Sequence, residues 1–225
     1  MALLHATAAE AVTETVVYSF CGQELCSDGA YPYAAPTGVK GTLYGTTPSG
    51  GVYPNDYGTV YSVDPKAGAE VVLYTFSGGA DGAFPYAGLI DAKGMLYGTT
   101  ANGGSSSNCY LGCGTLFKLD LRTSSEKVLH SFGSGADGVN PSANLINVGG
   151  VLFGTTPLGG AAGEGTVFSL DPKTGKETML YSFCSAKYCT DGQYPSGLSN
   201  MSGTLYGATY YGGAHNGGVV FTITP

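Results

Sequence analysis

Leu43-Tyr44-Gly45-Thr46-Thr47 is the first of four closely similar stretches in this chain. It returns as Leu96-Tyr97-Gly98-Thr99-Thr100, Leu152-Phe153-Gly154-Thr155-Thr156 and Leu205-Tyr206-Gly207-Ala208-Thr209, at intervals of 53, 56 and 53 residues. Self-similarity at that period marks a propeller or a solenoid. Other landmarks keep the same beat. Each unit has a phenylalanine closing a β-type run (Phe20, Phe76, Phe132, Phe183), then an Asp-Gly step (Asp28, Asp81, Asp137, Asp191), then a proline four residues past the aspartate.

Around these landmarks each unit holds four short β-type runs. In the second unit they are 86–91, 95–99, 114–120 and 126–132, rich in Val, Leu, Tyr, Phe and Thr and separated by Gly, Asp, Asn and Pro. No stretch carries a sustained helical period with caps. Four antiparallel strands per repeat make a propeller blade, so the expected fold is an all-β, four-bladed β-propeller. The phase of the repeat at the two ends adds a further expectation. Residues 15–20 match the fourth strand of a unit and residues 218–224 the third, so pairing of the two is expected to close the ring and remove two exposed edges. Residues 15–225 then form one domain, and the Ala-rich residues 1–14 read as a trimmed export signal or a tail.

Composition narrows the class. The 38 glycines among 225 residues sit at repeat positions, which is turn chemistry and not low complexity. Nine Lys and Arg against sixteen Asp and Glu give a formal charge of -7, with Arg122 the single arginine. That balance argues against nucleic acid or an anionic membrane as partner. No run approaches the length of a membrane span. Six cysteines fall as three close pairs, Cys21/Cys26, Cys109/Cys113 and Cys184/Cys189. Local disulfides in an oxidising compartment are the favoured reading, with reduced buried thiols the alternative. The expected location is extracellular or periplasmic.

The Leu-Tyr-Gly-Thr-Thr, Gly-Gly and Gly-Thr-Val-Phe succession over residues 15–225 resembles the GloVer-type (choice-of-anchor) tandem repeat. Departures such as Phe153 and His130 for Tyr, Ala208 for Thr and Val219 for Thr are conservative within a strand. The resemblance implies an extracellular, propeller-like protein and assigns no chemistry.

Function must therefore be read from what breaks the repeat. The turns within a blade on one face are short and carry the lysines. On the opposite face the loops Phe20 to Pro32 and Phe183 to Pro195 are longer than their siblings, and each holds a cysteine pair; the loop from Thr100 to Gly114 holds the third. Enlarged, stapled loops on a rigid scaffold are where binding residues tend to lie. Both blade-to-blade staples flank the fourth unit, whose own loop reads Tyr210-Tyr211-Gly212-Gly213-Ala214-His215-Asn216. The expected ligand-contacting patch is Tyr31, Tyr33, Tyr188, Tyr194, Tyr210, Tyr211, His215 and Asn216. Flat tyrosine rings beside amides suit the faces and hydroxyls of sugars; loop tyrosines packing over glycine are the alternative.

The four Asp-Gly aspartates suggest either a carboxylate ring for a hard cation or ordinary turn acceptors, and without an accompanying Asp-x-Asp loop the turn reading is preferred. No metal or cofactor is expected. Nucleophile elbows, zinc-helix motifs and phosphate loops are missing. A carboxylate pair drawn from Glu24, Asp56, Glu164 and Asp191 leaves a glycosidase open, because such pairs leave no linear motif. A polysaccharide lyase and a purely structural or protein-interaction repeat are open as well. The favoured expectation is a secreted, monomeric module that binds a glycan or another small polar ligand.

Overall fold

A computed structural model describes residues 13–52, 54, 56–133 and 136–225. Most of the expected tail, residues 1–12, lies outside the described residues, as does Tyr53. Strands follow one another in four antiparallel sheets, one per repeat. The first sheet contains β1 (Thr37–Val39), β2 (Thr42–Thr47), β3 (Thr59–Asp64) and β4 (Ala69–Thr75); the second contains β5 (Ile90–Ala92), β6 (Met95–Thr100), β7 (Thr115–Asp120) and β8 (Ser125–Ser131). In the third repeat a two-residue strand, β9 (Gly138–Val139), precedes β10 (Ile146–Val148) and β11 (Val151–Thr156), and pairs with β12 (Leu158–Gly159). The third sheet is completed by β13 (Thr166–Asp171) and β14 (Lys176–Ser182). The fourth has three strands, β15 (Gln193–Met201), β16 (Thr204–Tyr211) and β17 (Val220–Ile223).

The repeated pentapeptide forms the second strand of every sheet, and each of its residue types has a visible job. A Cβ at Gly45, Gly98, Gly154 or Gly207 would run into the ring of Tyr61, Phe117, Phe168 or Phe221 on the third strand. Only glycine leaves that ring room to lie across the strand. The last threonine ties the second strand to the third, through Thr47–Thr59 at 2.7 Å, Thr100–Thr115 at 2.8 Å and Thr156–Thr166 at 2.8 Å. In the fourth repeat Val219 stands where the others have threonine, and the Val219 N–H donates to the Thr209 hydroxyl at 3.0 Å. In the first three sheets the first strand is only three residues long. In the second unit the ladder begins at Ile90 and not at Tyr86, because Pro85 and Gly88 bracket a stretch that approaches the backbone of its neighbours.

Neighbouring repeats meet through aromatic pairs. The phenylalanine at the end of each fourth-strand sequence lies edge-on to the third-strand aromatic of the next sheet: Phe20 on Tyr61 at 4.7 Å, Phe76 on Phe117 at 5.2 Å, Phe132 on Phe168 at 5.1 Å and Phe183 on Phe221 at 4.9 Å. Phe76, Phe132 and Phe183 are almost entirely buried, and the core clusters span two adjacent sheets. The apolar core therefore lies between repeats.

The expected ladder between residues 15–20 and 218–224 is not formed. Residues 13–19 carry no strand pairing, and Val220 on β17 is 80% exposed, whereas its counterparts Val60, Leu116 and Val167 are completely buried. The reason lies in what holds the amino-terminal segment. Phe20 is seated on Tyr61, and the Tyr18 hydroxyl donates to Asp28 at 2.8 Å, so the segment covers the first sheet in the way a preceding fourth strand would. The outer edge of β17 has no ladder partner among the described residues.

Candidate functional site

The loops that leave each fourth strand are organised by the Asp-Gly aspartates acting as turn acceptors. Asp28, fully buried, accepts from the Tyr18 hydroxyl and from the Gly22 N–H at 3.0 Å. Asp81 accepts from the Tyr74 hydroxyl at 3.0 Å and the Ser77 N–H at 2.7 Å. Asp191 accepts from the Tyr181 hydroxyl at 2.7 Å and from the Ser185 N–H at 2.9 Å. At the remaining turn the fourth-strand aromatic is a histidine, and His130 Nε2 lies 2.8 Å from Asp137. Burial pushes the Asp28 and Asp191 carboxyls up, but hydrogen bonds from Tyr18 and Gly22, and from Tyr181 and Ser185, outweigh it and hold both below the ordinary carboxylate range. Burial, reinforced by the hydrogen bond to Asp28, pushes the Tyr18 phenol up to about 12.

Each of the first three turns faces a glutamate on the fourth strand of the next sheet. Burial first, then the neighbouring Asp28, Asp81 or Asp137, pushes Glu70, Glu126 and Glu177 up to about 7. One carboxylate oxygen of each glutamate is buried without a hydrogen-bond partner among the described residues.

All three cysteine pairs are disulfide-bonded as expected. Cys21-Gly22-Gln23-Glu24-Leu25-Cys26 and Cys184-Ser185-Ala186-Lys187-Tyr188-Cys189 fold alike. Positive φ falls at the same three positions of each, Cys21, Leu25 and Cys26 matching Cys184, Tyr188 and Cys189. These staples fit an extracellular or periplasmic protein. No helix among the described residues is long and apolar enough to cross a membrane.

Between the sheets, corresponding segments of all four repeats line one open cavity of about 670 Å³: Tyr33 to Ala35, Tyr86, Ser142 to Asn144, and Ser196 to Ser199, with Tyr206 and Val220 at its side. A contiguous cleft of about 490 Å³ is lined by Tyr33, Tyr86, Pro157, Tyr194, Pro195 and Tyr210 among others. Tyr33 meets Tyr86 edge-on at 6.1 Å, Tyr194 meets Tyr211 at 5.9 Å, and Tyr210 meets Tyr211 at 4.6 Å. Tyr33 and Tyr210 are 79% and 70% exposed, so their faces are open to a ligand. Among the described residues lining the two spaces none is charged, and the polar groups are hydroxyls and amides. The Asn144 side-chain oxygen accepts from the Gly88 N–H at 2.7 Å, which fixes that amide at the cavity wall.

Of the eight expected contact residues, the structure brings Tyr33, Tyr194 and Tyr210 together around this cleft, with Tyr211 packed behind. It does not bring the others there. Tyr31 lines a separate hollow with Tyr18 and Phe20. Tyr188 points out of its stapled loop with the Lys187 ammonium 4.8 Å from its ring centre. His215 is exposed, and Asn216 closes its own turn by accepting from the Gly212 N–H at 2.9 Å. The candidate acid pair is also dispersed. Asp56 accepts from the Gly50 N–H, Asp191 serves its turn, and neither they, Glu24 nor Glu164 lines the cleft.

Loop length alone does not point to Tyr86, Ser142 and Ser196. Their signal is positional: with Tyr33, they are the residues that directly follow the repeat prolines Pro32, Pro85, Pro141 and Pro195.

Comparison with known proteins agrees with this architecture. A family model described as the Gloeobacter/Verrucomicrobia repeat matches residues 4–221. No curated protein matches the chain. Among solved structures, a chain of the nidogen/laminin complex is similar over 91% of this chain and 69% of its own length, at 14% identity and a TM-score of 0.54. TolB from Acinetobacter baumannii is similar over 82% of this chain at 16% identity and a TM-score of 0.44, and this chain spans 41% of that one. The fold is all-β, with antiparallel sheets and a propeller-like neighbour in the nidogen/laminin complex, and the chain is a repeat module.

Proposed function

The chain belongs to the Gloeobacter/Verrucomicrobia repeat family, and on that footing we propose that it is a secreted, monomeric binding module whose four sheets act as propeller blades around a site for a neutral glycan. The observation that carries the reading is the cleft itself. The exposed rings of Tyr33 and Tyr210 share their lining with small and apolar residues, the serine hydroxyls of Ser142 and Ser196 and the Asn144 amide, with no charged side chain among the described lining residues. A sugar presents an apolar face to a ring and hydroxyls to its rim, and it brings no charge that needs a counter-ion. Catalysis of glycoside cleavage calls for two carboxyl groups flanking the scissile bond. The dispersal of Glu24, Asp56, Glu164 and Asp191 favours retention of the ligand over turnover.

The test is a glycan array followed by titration of the best neutral oligosaccharide. Tyr33→Ala and Tyr210→Ala are expected to weaken binding by about 1 to 3 kcal/mol each, while Tyr188→Ala, outside the cleft, leaves it unchanged. Binding lost only in Tyr188→Ala would move the site to the stapled loop. New reducing ends or unsaturated products on incubation with polysaccharide would replace a binding module with an enzyme. A second reading, a protein-interaction surface, is favoured by Leu25, Tyr31 and Tyr188, which are exposed on the two stapled loops away from the cleft. Silence on the array with retained capture of a protein partner would select it.

A further inference from the structure

Three junctions pair a turn aspartate with the next sheet's glutamate, and they differ in the fourth-strand residue that stands beside the two carboxyls. Tyr18 and Tyr74 supply a hydroxyl beside Asp28/Glu70 and Asp81/Glu126, whereas the third junction has His130 beside Asp137/Glu177. A tyrosine hydroxyl adds a proton donor to two facing carboxyls. An imidazole adds a nitrogen lone pair, and with it the junction acquires the donor set of a metal site.

We propose that His130, Asp137 and Glu177 bind a divalent first-row transition-metal ion of the zinc type, bridging the second and third sheets. One ligand atom from each residue lies within 4.8 Å of the other two, and His130 Nε2 is 2.8 Å from Asp137 Oδ2. Ligation at about 2.0 to 2.2 Å in tetrahedral geometry places neighbouring donors about 3.4 Å apart, so small side-chain rotations bring the set around one ion and leave a fourth position for water. Two facing carboxylates supply the charge that a divalent cation neutralises. Glu177 Oε1 is buried with no hydrogen-bond partner among the described residues. The imidazole distinguishes zinc-type ions from calcium or magnesium, which prefer all-oxygen sets.

The surroundings are already arranged. The Gly138 N–H donates to Asp137 Oδ1 at 2.6 Å, fixing the carboxylate with Oδ2 toward His130. Phe132 packs edge-on against the imidazole at 4.7 Å. On binding, the ring's single proton resides on Nδ1, and the Nε2 lone pair goes to the ion in place of the hydrogen bond to Asp137.

The repeat supplies its own control. His130→Tyr restores the residue of the sister junctions and is expected to fold as wild type. Chelator-treated protein titrated calorimetrically with zinc chloride should take up one equivalent at this junction, with a rise in melting temperature. His130→Tyr and Glu177→Gln should each weaken uptake about 100-fold or more, since loss of a direct ligand exceeds the 10- to 100-fold effect of losing an outer-shell partner. His215→Ala should leave it unchanged. Cobalt(II) should give ligand-field absorption in wild type that His130→Tyr lacks. A wild type that takes up no zinc, or a His130→Tyr protein that binds it equally well, overturns the proposal. If His130→Tyr does not fold, the Glu177→Gln titration decides in the same way.

Discussion

The third and fourth sheets are built from the same repeat, yet Val167 is fully buried in one and Val220 is 80% exposed in the other. Their sequences do not explain this: Gly-Thr-Val-Phe and Gly-Val-Val-Phe present the same apolar side chain at the same place on the third strand. What differs is the neighbour. Val167 pairs with Tyr181 on β14 and is covered by a complete sheet, whereas β17 pairs with β16 alone among the described residues. In a fold whose core lies between repeats, burial belongs to the junction and not to the strand.

Mutation tests that difference directly. Phe132→Ala removes a fully buried ring shared by two sheets, and a loss of about 3 to 5 kcal/mol is expected in denaturant unfolding. A loss below about 1 kcal/mol would mean the junction is not where the core stability lies. Next in size is Asp81→Ala, which strands the Tyr74 hydroxyl and the Ser77 N–H and should cost about 1 to 3 kcal/mol by the same measurement.

A pH series separates the junctions that carry a facing glutamate from the one after Asp191, where none lies nearby to shift it. Glu70, Glu126 and Glu177 have folded-state pKa values raised to about 7. Each therefore stabilises the fold fully below its ordinary value near 4.5, and that contribution is lost as pH rises through about 7. The melting temperature of the metal-free protein should rise as pH falls from about 8 to about 5. With discounting for part exposure, the effect is on the order of 1 kcal/mol per glutamate. Asp28 and Asp191, with lowered values, lose their contribution only below that window. Glu126→Gln should flatten about a third of the slope, whereas Asp191→Asn should leave it unchanged. The smallest effect belongs to Val220→Ala, within about 0.5 kcal/mol, against about 2 to 5 kcal/mol for Leu116→Ala at the equivalent buried position.

The all-β repeat, the strand order within each sheet and the three disulfides were legible in the sequence, because each rests on local spacing: alternating strand runs, Gly-rich turns, and cysteines four or five residues apart. The closing ladder expected from the phase of the repeat at the two ends is not formed, because that phase reports which strand type each end carries and not that Tyr18 and Phe20 hold the amino-terminal segment against Asp28 and Tyr61. The site was half legible for a related reason. Loop length drew attention to Tyr194, Tyr210 and Tyr211 but also to Tyr31, Tyr188 and His215, which the loops point elsewhere. Tyr86 and Ser142 sit in loops of ordinary length, and only their register after a repeat proline connects them to Tyr33. The glutamates facing the Asp-Gly turns are hidden from a linear reading because each aspartate partner belongs to the preceding turn, forty or more positions away.

The near-identical aromatic pairs at 4.7 to 5.2 Å also bear on how the molecule comes apart. A chain whose aromatic core is shared between adjacent units behaves much as a one-dimensional array, with stability given by unit terms plus nearest-neighbour couplings. Units coupled on both sides open last. Amide exchange should therefore form a gradient along the chain, slowest in the second strands of the second and third sheets and fastest along the outer edge of β17, and weakening Phe132 on Phe168 should divide one cooperative transition into two.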